Sequence, residues 1–196
     1  MKRFLLGCLL SSAITMPAVA ALKAGDTAPE FQTQASLAGK AFSYSLKESL
    51  QKGAVVVYFY PSAYTGGCNI QAHTFAENID KFTAAGATII GVSLDSIERL
   101  NDFSADPAYC AGKVAVASDA DGAIAKSYDL VVKDPAEGKK DSRGVDITHG
   151  FAERTTFIVT PDGKIVETVS GLKPAENVAK ALETVQKLAA DKQSAK

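Results

Sequence analysis

Residues 54–94 constrain this chain most: an apolar run, a turn, a helical segment and a second apolar run. Ala54-Val55-Val56-Val57-Tyr58-Phe59-Tyr60 is β-branched and aromatic and is closed by Pro61, which reads as a buried strand. Beyond the turn, Ile70, Phe75, Ile79 and Phe82 carry helical spacing over about 67–85, and Gly86 is a stop signal. Thr88-Ile89-Ile90-Gly91-Val92-Ser93-Leu94 is a second buried strand. Strand, helix and strand with a long crossover predict parallel pairing, and with it an open α/β sheet with helices on both faces. Ligands in such sheets bind beyond the carboxyl ends of the parallel strands.

Cys68 falls at that end of the first strand, where the chain hands over to the helix. A helix N-terminus offers unpaired N–H groups and the positive end of the dipole. Both favour the thiolate, the reactive form of cysteine. The competing reading is a buried structural cysteine, since free cysteines are among the most buried residue types.

Elsewhere the signals are shorter. Gly25 to Phe31 is an extended entry segment and Phe42 to Leu46 a short strand. Asp95 or Ser96 can cap a helix through about Ser104, and Asp106 to Cys110 is its end or the following loop. Val114 to Ala117 is a weak strand, and Asp119 to Gly122 turns into a short helix through Tyr128. Lys133 to Asp146, charged and containing Gly and Pro, reads as a mobile loop. Thr155 to Val159 and Ile165 to Val169 form a hairpin across Pro161-Asp162-Gly163-Lys164. Pro174 opens a last helix with the apolar stripe Val178, Leu182, Val185 and Leu188, and 191–196 are expected to fray.

The first twenty residues are read apart from the fold. Lys2-Arg3, the apolar stretch Phe4 to Ile14 and Ala18-Val19-Ala20 form a secretory signal peptide, with cleavage after Ala20. Its apolar stretch is shorter than the roughly 20 residues a spanning helix needs, so no membrane role is expected. One domain is expected over 21–196, in a periplasmic setting. Without Lys2 and Arg3 the basic residues fall from 21 to 19 against 22 acidic ones, a net charge of −3. No basic face for nucleic acid is indicated. Cys8 leaves with the signal, and Cys68 and Cys110 remain; an exported setting permits a disulfide between them.

Pro61, Thr65 and Cys68 match the P-x-x-x-T-x-x-C signature of peroxiredoxins, the thiol peroxidases with a thioredoxin-like fold. Arg154-Thr155-Thr156-Phe157-Ile158-Val159 resembles that family's arginine-bearing strand, and Gly25-Asp26-Thr27-Ala28-Pro29-Glu30-Phe31 resembles its G-x-x-A-P-x-F start. The similarity covers about residues 25–185 and is greatest to the monomer-prone, bacterioferritin-comigratory-like branch. It implies a thioredoxin-like α/β fold, with a central mixed sheet flanked by helices on both faces. It also implies reduction of hydrogen peroxide or organic hydroperoxides without metal or other cofactor. Cys68 would be the nucleophile. Arg154 would stabilise the thiolate and bond the peroxide, Thr65 would orient the substrate and Pro61 would shield the thiolate. Gly67 would let backbone N–H groups approach the substrate. The resemblance further implies a thioredoxin-like or other thiol reductant, and a monomer or weak dimer.

The chain departs from its relatives in three places. A resolving cysteine five residues past the nucleophile is replaced by His73, which leaves Cys110 as the candidate; the alternative is a one-cysteine enzyme reduced by an outside thiol. Gln71 stands where many relatives carry glutamate, and Gly150 to Glu153 differ from the usual approach to the arginine strand. A copper site on Cys68, His73 and His149 would lack the close cysteine pair of thioredoxin-like copper chaperones, so no metal is expected. The other function class is a non-enzymatic thioredoxin-fold module with a structural Cys68–Cys110 disulfide.

Overall fold

The computed structural model describes residues 20–135 and 137–194. The expected signal peptide therefore lies outside the described residues except for Ala20, as do Cys8 and the last two residues. Nine strands are present among the described residues: β1 Gln32–Leu37, β2 Lys40–Ser45, β3 Ala54–Phe59, β4 Ala87–Ser93, β5 Ala115–Ser118, β6 Val132–Lys133, β7 Phe151–Ala152, β8 Thr155–Val159 and β9 Ile165–Ser170. Five helices join them: α1 Leu46–Leu50, α2 Gly66–Ala84, α3 Ile97–Ala105, α4 Ala123–Ser127 and α5 Pro174–Ser194.

Seven strands form one mixed sheet in the order β2-β1-β5-β4-β3-β8-β9. The expected crossover is confirmed: β3 pairs parallel with β4, and β4 with β5. The flanks are antiparallel, with β8 against β3 and β1 against β5. β3 is buried along its whole length. Its side chains alternate, as a strand's must: Ala54, Val56 and Tyr58 join one apolar layer, and Val55, Val57 and Phe59 the other. The first layer takes Phe75 and Phe82 of α2, Leu100 and Phe103 of α3, and Val178 and Val185 of α5. The second takes Leu46 and Leu50 of α1 and Ala125 of α4. Helices thus cover both faces, and Cys68 and Cys110 lie in the same layer.

Four details differ from the sequence reading. The hairpin β1–β2 begins at Gln32, within what reads as connecting chain. α1 follows β2 directly, with the Ser45 hydroxyl accepting the Glu48 N–H at 3.3 Å. α5 stays helical through Ser194, past the expected fraying. The segment read as a mobile loop is hydrogen-bonded over residues 139–147: Asp141 N–H donates to the Val145 carbonyl (2.8 Å), Ile147 N–H to that of Lys139 (2.8 Å), and Ser142 N–H to that of Tyr64 (2.8 Å).

Candidate active site

The chain reaches Cys68 through a constrained turn. β3 ends at Phe59, and Tyr64 adopts φ +59°, the left-handed region that costs a non-glycine residue roughly 1–2 kcal/mol. Thr65 is the N-cap of α2, but its hydroxyl does not cap; it donates to the Ser62 carbonyl at 2.8 Å. The oxygen keeps its lone pairs for another donor. The first intrahelical bond is Asn69 N–H to the Thr65 carbonyl, at 2.8 Å. By helix geometry the amides of Gly66, Gly67 and Cys68 precede it and have no acceptor within the helix. Cys68 sits in this first turn, free and 2% exposed.

Arg154 crosses to the same point from just before β8. Its Nη2 donates to Cys68 Sγ at 3.2 Å, and its Nη1 donates to Gln71 Oε1, one helical turn past the cysteine. The Gln71 amide then donates to Asn177 Oδ1 at 3.1 Å. Asn177, on α5, also accepts from the Thr156 hydroxyl (2.6 Å) and donates to the Val169 carbonyl (3.0 Å). Gln71, Asn177 and Thr156 are fully buried. The guanidinium is therefore aimed by a neutral amide relay, and among the described residues no carboxylate pairs with it. Gly67 makes the approach possible: a Cβ there would stand 3.1 Å from Arg154 Nη2 and 3.4 Å from Pro174 Cγ.

A second polar group holds the turn from behind. Asp95, just past β4 and completely buried, accepts the Ala63 N–H (2.7 Å), the Ser62 hydroxyl (3.0 Å) and the Ser93 hydroxyl (2.7 Å). Arg99 Nε donates to it at 2.8 Å, and His149 Nε2 lies at 2.8 Å. Arg99 Nη2 reaches the Ala63 carbonyl (2.9 Å) and Asp141 (2.8 Å). Burial works against the Asp95 charge, but the His149 partner, the Ala63 N–H and the Ser93 hydroxyl outweigh it and hold its pKa below the usual aspartate value. Arg143 stacks its guanidinium 3.3 Å from the Tyr64 ring centre.

Cys110 is free and completely buried in the turn after α3. Burial pushes its thiol pKa well up, and the Asp106 charge adds to the rise. Tyr109 beside it meets the Tyr64 ring edge-on at 5.6 Å and stacks on Phe103 at 5.5 Å, so the two cysteine-bearing turns share one aromatic cluster. The static disulfide considered from sequence is not formed in this structure.

Of the residues singled out by sequence, Cys68, Thr65, Gly67 and Arg154 come together at the start of α2. Pro61 and Arg154 also border a hollow of ≈ 350 Å³ lined by Val131, Lys133 and Phe151. A larger hollow of ≈ 640 Å³, near Gln32 and Asp119, contains none of them. His73 stands on the exposed side of α2, 3.4 Å from Glu77, and His149 is turned to Asp95, so the two imidazoles do not converge with Cys68. The sequence reading does not give Asn177, Asp141 or Arg143 a role, and gives Asp95 only a capping one. For Asp95 a signal existed: an acidic residue directly beyond a buried parallel strand, at the end where sites form.

Comparison with known proteins agrees with this geometry. The model of the AhpC/TSA family matches residues 24–168. Peroxiredoxin Bcp of Escherichia coli (strain K12) is 30% identical over 156 residues, covering 80% of this chain and 90% of that protein. Among solved structures, peroxidoxin BcpB from Mycobacterium tuberculosis superposes with a TM-score of 0.69 at 26% identity, covering 84% of this chain and 97% of that one. Xanthomonas campestris peroxiredoxin Q gives 0.62 at 28% identity, covering 80% and 90%.

Proposed function

This chain belongs to the AhpC/TSA family and is a thiol peroxidase of the peroxiredoxin Bcp branch, and on that premise we propose that Cys68 is its nucleophile, Arg154, Thr65 and Pro61 complete the catalytic set, and Cys110 resolves. The observation that carries this is the 3.2 Å contact from Arg154 Nη2 to Cys68 Sγ at the first turn of α2. The Cys68 sulfur attacks one peroxide oxygen as the O–O bond breaks. The product is a sulfenic acid on Cys68, and the departing oxygen leaves with a proton as water or an alcohol. Arg154 and the amides at the helix start stabilise negative charge passing from sulfur to the leaving oxygen. Thr65, its own proton spent on Ser62, accepts the hydroperoxide O–H, and Gly67 keeps the backbone open to the substrate.

The Cys110 thiol then condenses with the sulfenic acid, forming the Cys68–Cys110 disulfide and releasing water. A thioredoxin-like dithiol takes up the oxidation and restores both thiols. The buried, protonated setting of Cys110 requires its turn to move first. Hydrogen peroxide and organic hydroperoxides are the substrates, the protein acts as a monomer or weak dimer, and residues 1–20 export it to the periplasm. The intact mass of the exported protein tests the last point, and a chain beginning at Ala21 is expected.

Trapping tests the central assignment. Reduced protein is treated with one equivalent of hydrogen peroxide beside a carbon nucleophile selective for sulfenic acids, and the adduct is mapped by mass spectrometry. An adduct on Cys68 is expected, increased in Cys110→Ser. An adduct confined to Cys110, or none, would overturn it.

A further inference from the structure

We propose that Asp95 is a positioning residue for the turn that carries Cys68, and that His149, held on it as an imidazolium, clasps segment 139–149 over that turn and makes the grip depend on one proton. The inference rests on Cys68 being the nucleophile.

Asp95 gathers donors from four parts of the chain. Ser62 and Ala63 come from the turn, Ser93 from β4, Arg99 from α3 and His149 from the far end of the segment. An ionised carboxylate has about four lone-pair sites, so this one is saturated. The Ala63 peptide is gripped on both sides, its N–H by Asp95 and its carbonyl by Arg99. The next residue is the left-handed Tyr64, whose carbonyl takes the Ser142 N–H and whose ring lies under Arg143. Asp141 ties Arg99 to Arg143, at 2.8 and 3.2 Å. The unfavourable backbone four residues before Cys68 is thus over-determined by groups that meet at Asp95 and Asp141.

His149 is the one member whose proton count can change near neutrality. Nδ1 lies 2.8 Å from the Gly150 carbonyl and Nε2 2.8 Å from Asp95 Oδ1, and the Ser62 hydroxyl, which donates to that same carboxylate, lies 3.3 Å from Nε2. Only the doubly protonated ring donates to both the carbonyl and the carboxylate; a neutral ring turns a lone pair toward one of them. Burial opposes the charge, but Asp95 and the Gly150 carbonyl outweigh it and raise the pKa, while Arg99 pulls the other way. Glu98, Asp102, Arg143 and Asp146 border the hollow of ≈ 570 Å³ that His149 also lines. With the folded pKa raised, the clasp is complete below the ordinary histidine range and is lost as pH rises through the raised value.

The chain has two histidines, so ring-proton NMR of the reduced mature protein resolves the test. Asp95→Asn is expected to shift the His149 titration downward. In parallel, kcat/KM for hydrogen peroxide is measured from about pH 5.5 to 9, across the histidine range, in wild type and His149→Gln. The ratio of the two isolates what the His149 side chain contributes at each pH. The ratio should be roughly five- to tenfold at low pH, modest beside the ~10²-fold cost of a 1 Å misplacement, and fall to about one above the His149 titration. A ratio that is flat with pH, or a His149 titration unmoved by Asp95→Asn, overturns the clasp. If Asp95→Asn does not fold, the pH dependence of the ratio decides alone. Peroxide consumption that survives Cys68→Ser would instead break the nucleophile assignment, and the NMR titration would still report on the clasp.

Discussion

The two cysteines of the described chain are both free, both buried and both in the apolar layer between the sheet and α2, yet their surroundings differ in sign. Cys68 meets the start of a helix and the Arg154 guanidinium. Cys110 meets apolar side chains and the negative charge of Asp106, which together push its pKa up. Burial alone disfavours a thiolate; burial beside a fixed cation and unpaired amides need not. Their backbones differ too. Cys68 is the third residue of a 19-residue helix. Cys110 is followed by Ala111 and Gly112, both at positive φ, in a short turn whose N–H groups reach back to the Asp106 and Ser104 carbonyls at 2.9 Å. The proposed nucleophile is built into a long helix, and the proposed resolving cysteine into a short turn between α3 and β5.

The largest effects should fall on the Cys68 side. Cys68→Ser should lower hydrogen peroxide consumption at least ~10³-fold, as removal of a nucleophile does. Cys110→Ser should leave the first turnover within about twofold, because it touches neither the oxygen acceptor nor Arg154. It should abolish the mobility shift that a Cys68–Cys110 disulfide would give oxidised wild type on a non-reducing gel, and slow multiple turnover with a dithiol. A Cys110→Ser protein as slow in the first turnover as Cys68→Ser would break the contrast. The burial of Cys110 has its own readout: iodoacetamide at pH 8 should label it at least ~10²-fold more slowly in folded, reduced protein than in denaturant, because thiolate and access are both missing.

Arg154→Lys sharpens the contrast by removing geometry and keeping charge. A lysine presents one point charge and cannot donate in a fixed fork to both Cys68 and Gln71. We expect kcat/KM to fall ~10²-fold, the usual cost of losing an aimed donor, with Cys110 labelling unchanged.

Much of this arrangement is legible before any coordinates. β3, α2 and β4 follow from uninterrupted apolar runs and one helical stripe, because elements buried on a parallel sheet carry the densest signal. The short strand read at Phe42 to Leu46 falls on β2, but β1 and the hairpin it makes with β2 are not legible, for two physical reasons. Its strands lie toward a sheet edge, with much of their surface exposed. Its two-residue turn, Ala38-Gly39, has both φ angles positive, and Ala38 stands where Asn or Asp would announce such a turn. The site divides in the same way. Pro61, Thr65 and Cys68 lie within eight residues and form a motif. Asp95 with His149, and Gln71 with Asn177, are hydrogen-bonded pairs 54 and 106 residues apart, and no local spacing encodes them. Asp141 and Arg143 sit in a stretch whose composition reads as loop, and its order comes from the backbone bonds and the charged partners it meets in space.

The smallest expected effect separates folding from chemistry at one position. Gly67 lies in the first turn of α2, where alanine is the better helix former by up to about 1 kcal/mol. Folding alone would therefore favour Gly67→Ala, and its Tm should be equal to wild type or slightly higher. The added Cβ would stand 3.1 Å from Arg154 Nη2, closer than such contacts ordinarily come, with Pro174 Cγ at 3.4 Å on the other side. The guanidinium must then shift by a few tenths of an ångström, off the line from Gln71 to Cys68. A roughly five- to tenfold fall in kcat/KM is expected, below the ~10²-fold cost of a full 1 Å displacement. Opposite signs in Tm and activity would show that glycine is kept here for the approach of Arg154. Unchanged activity with a raised Tm would mean that the guanidinium tolerates the displacement, and the 3.2 Å contact would lose its place as the feature that separates Cys68 from Cys110.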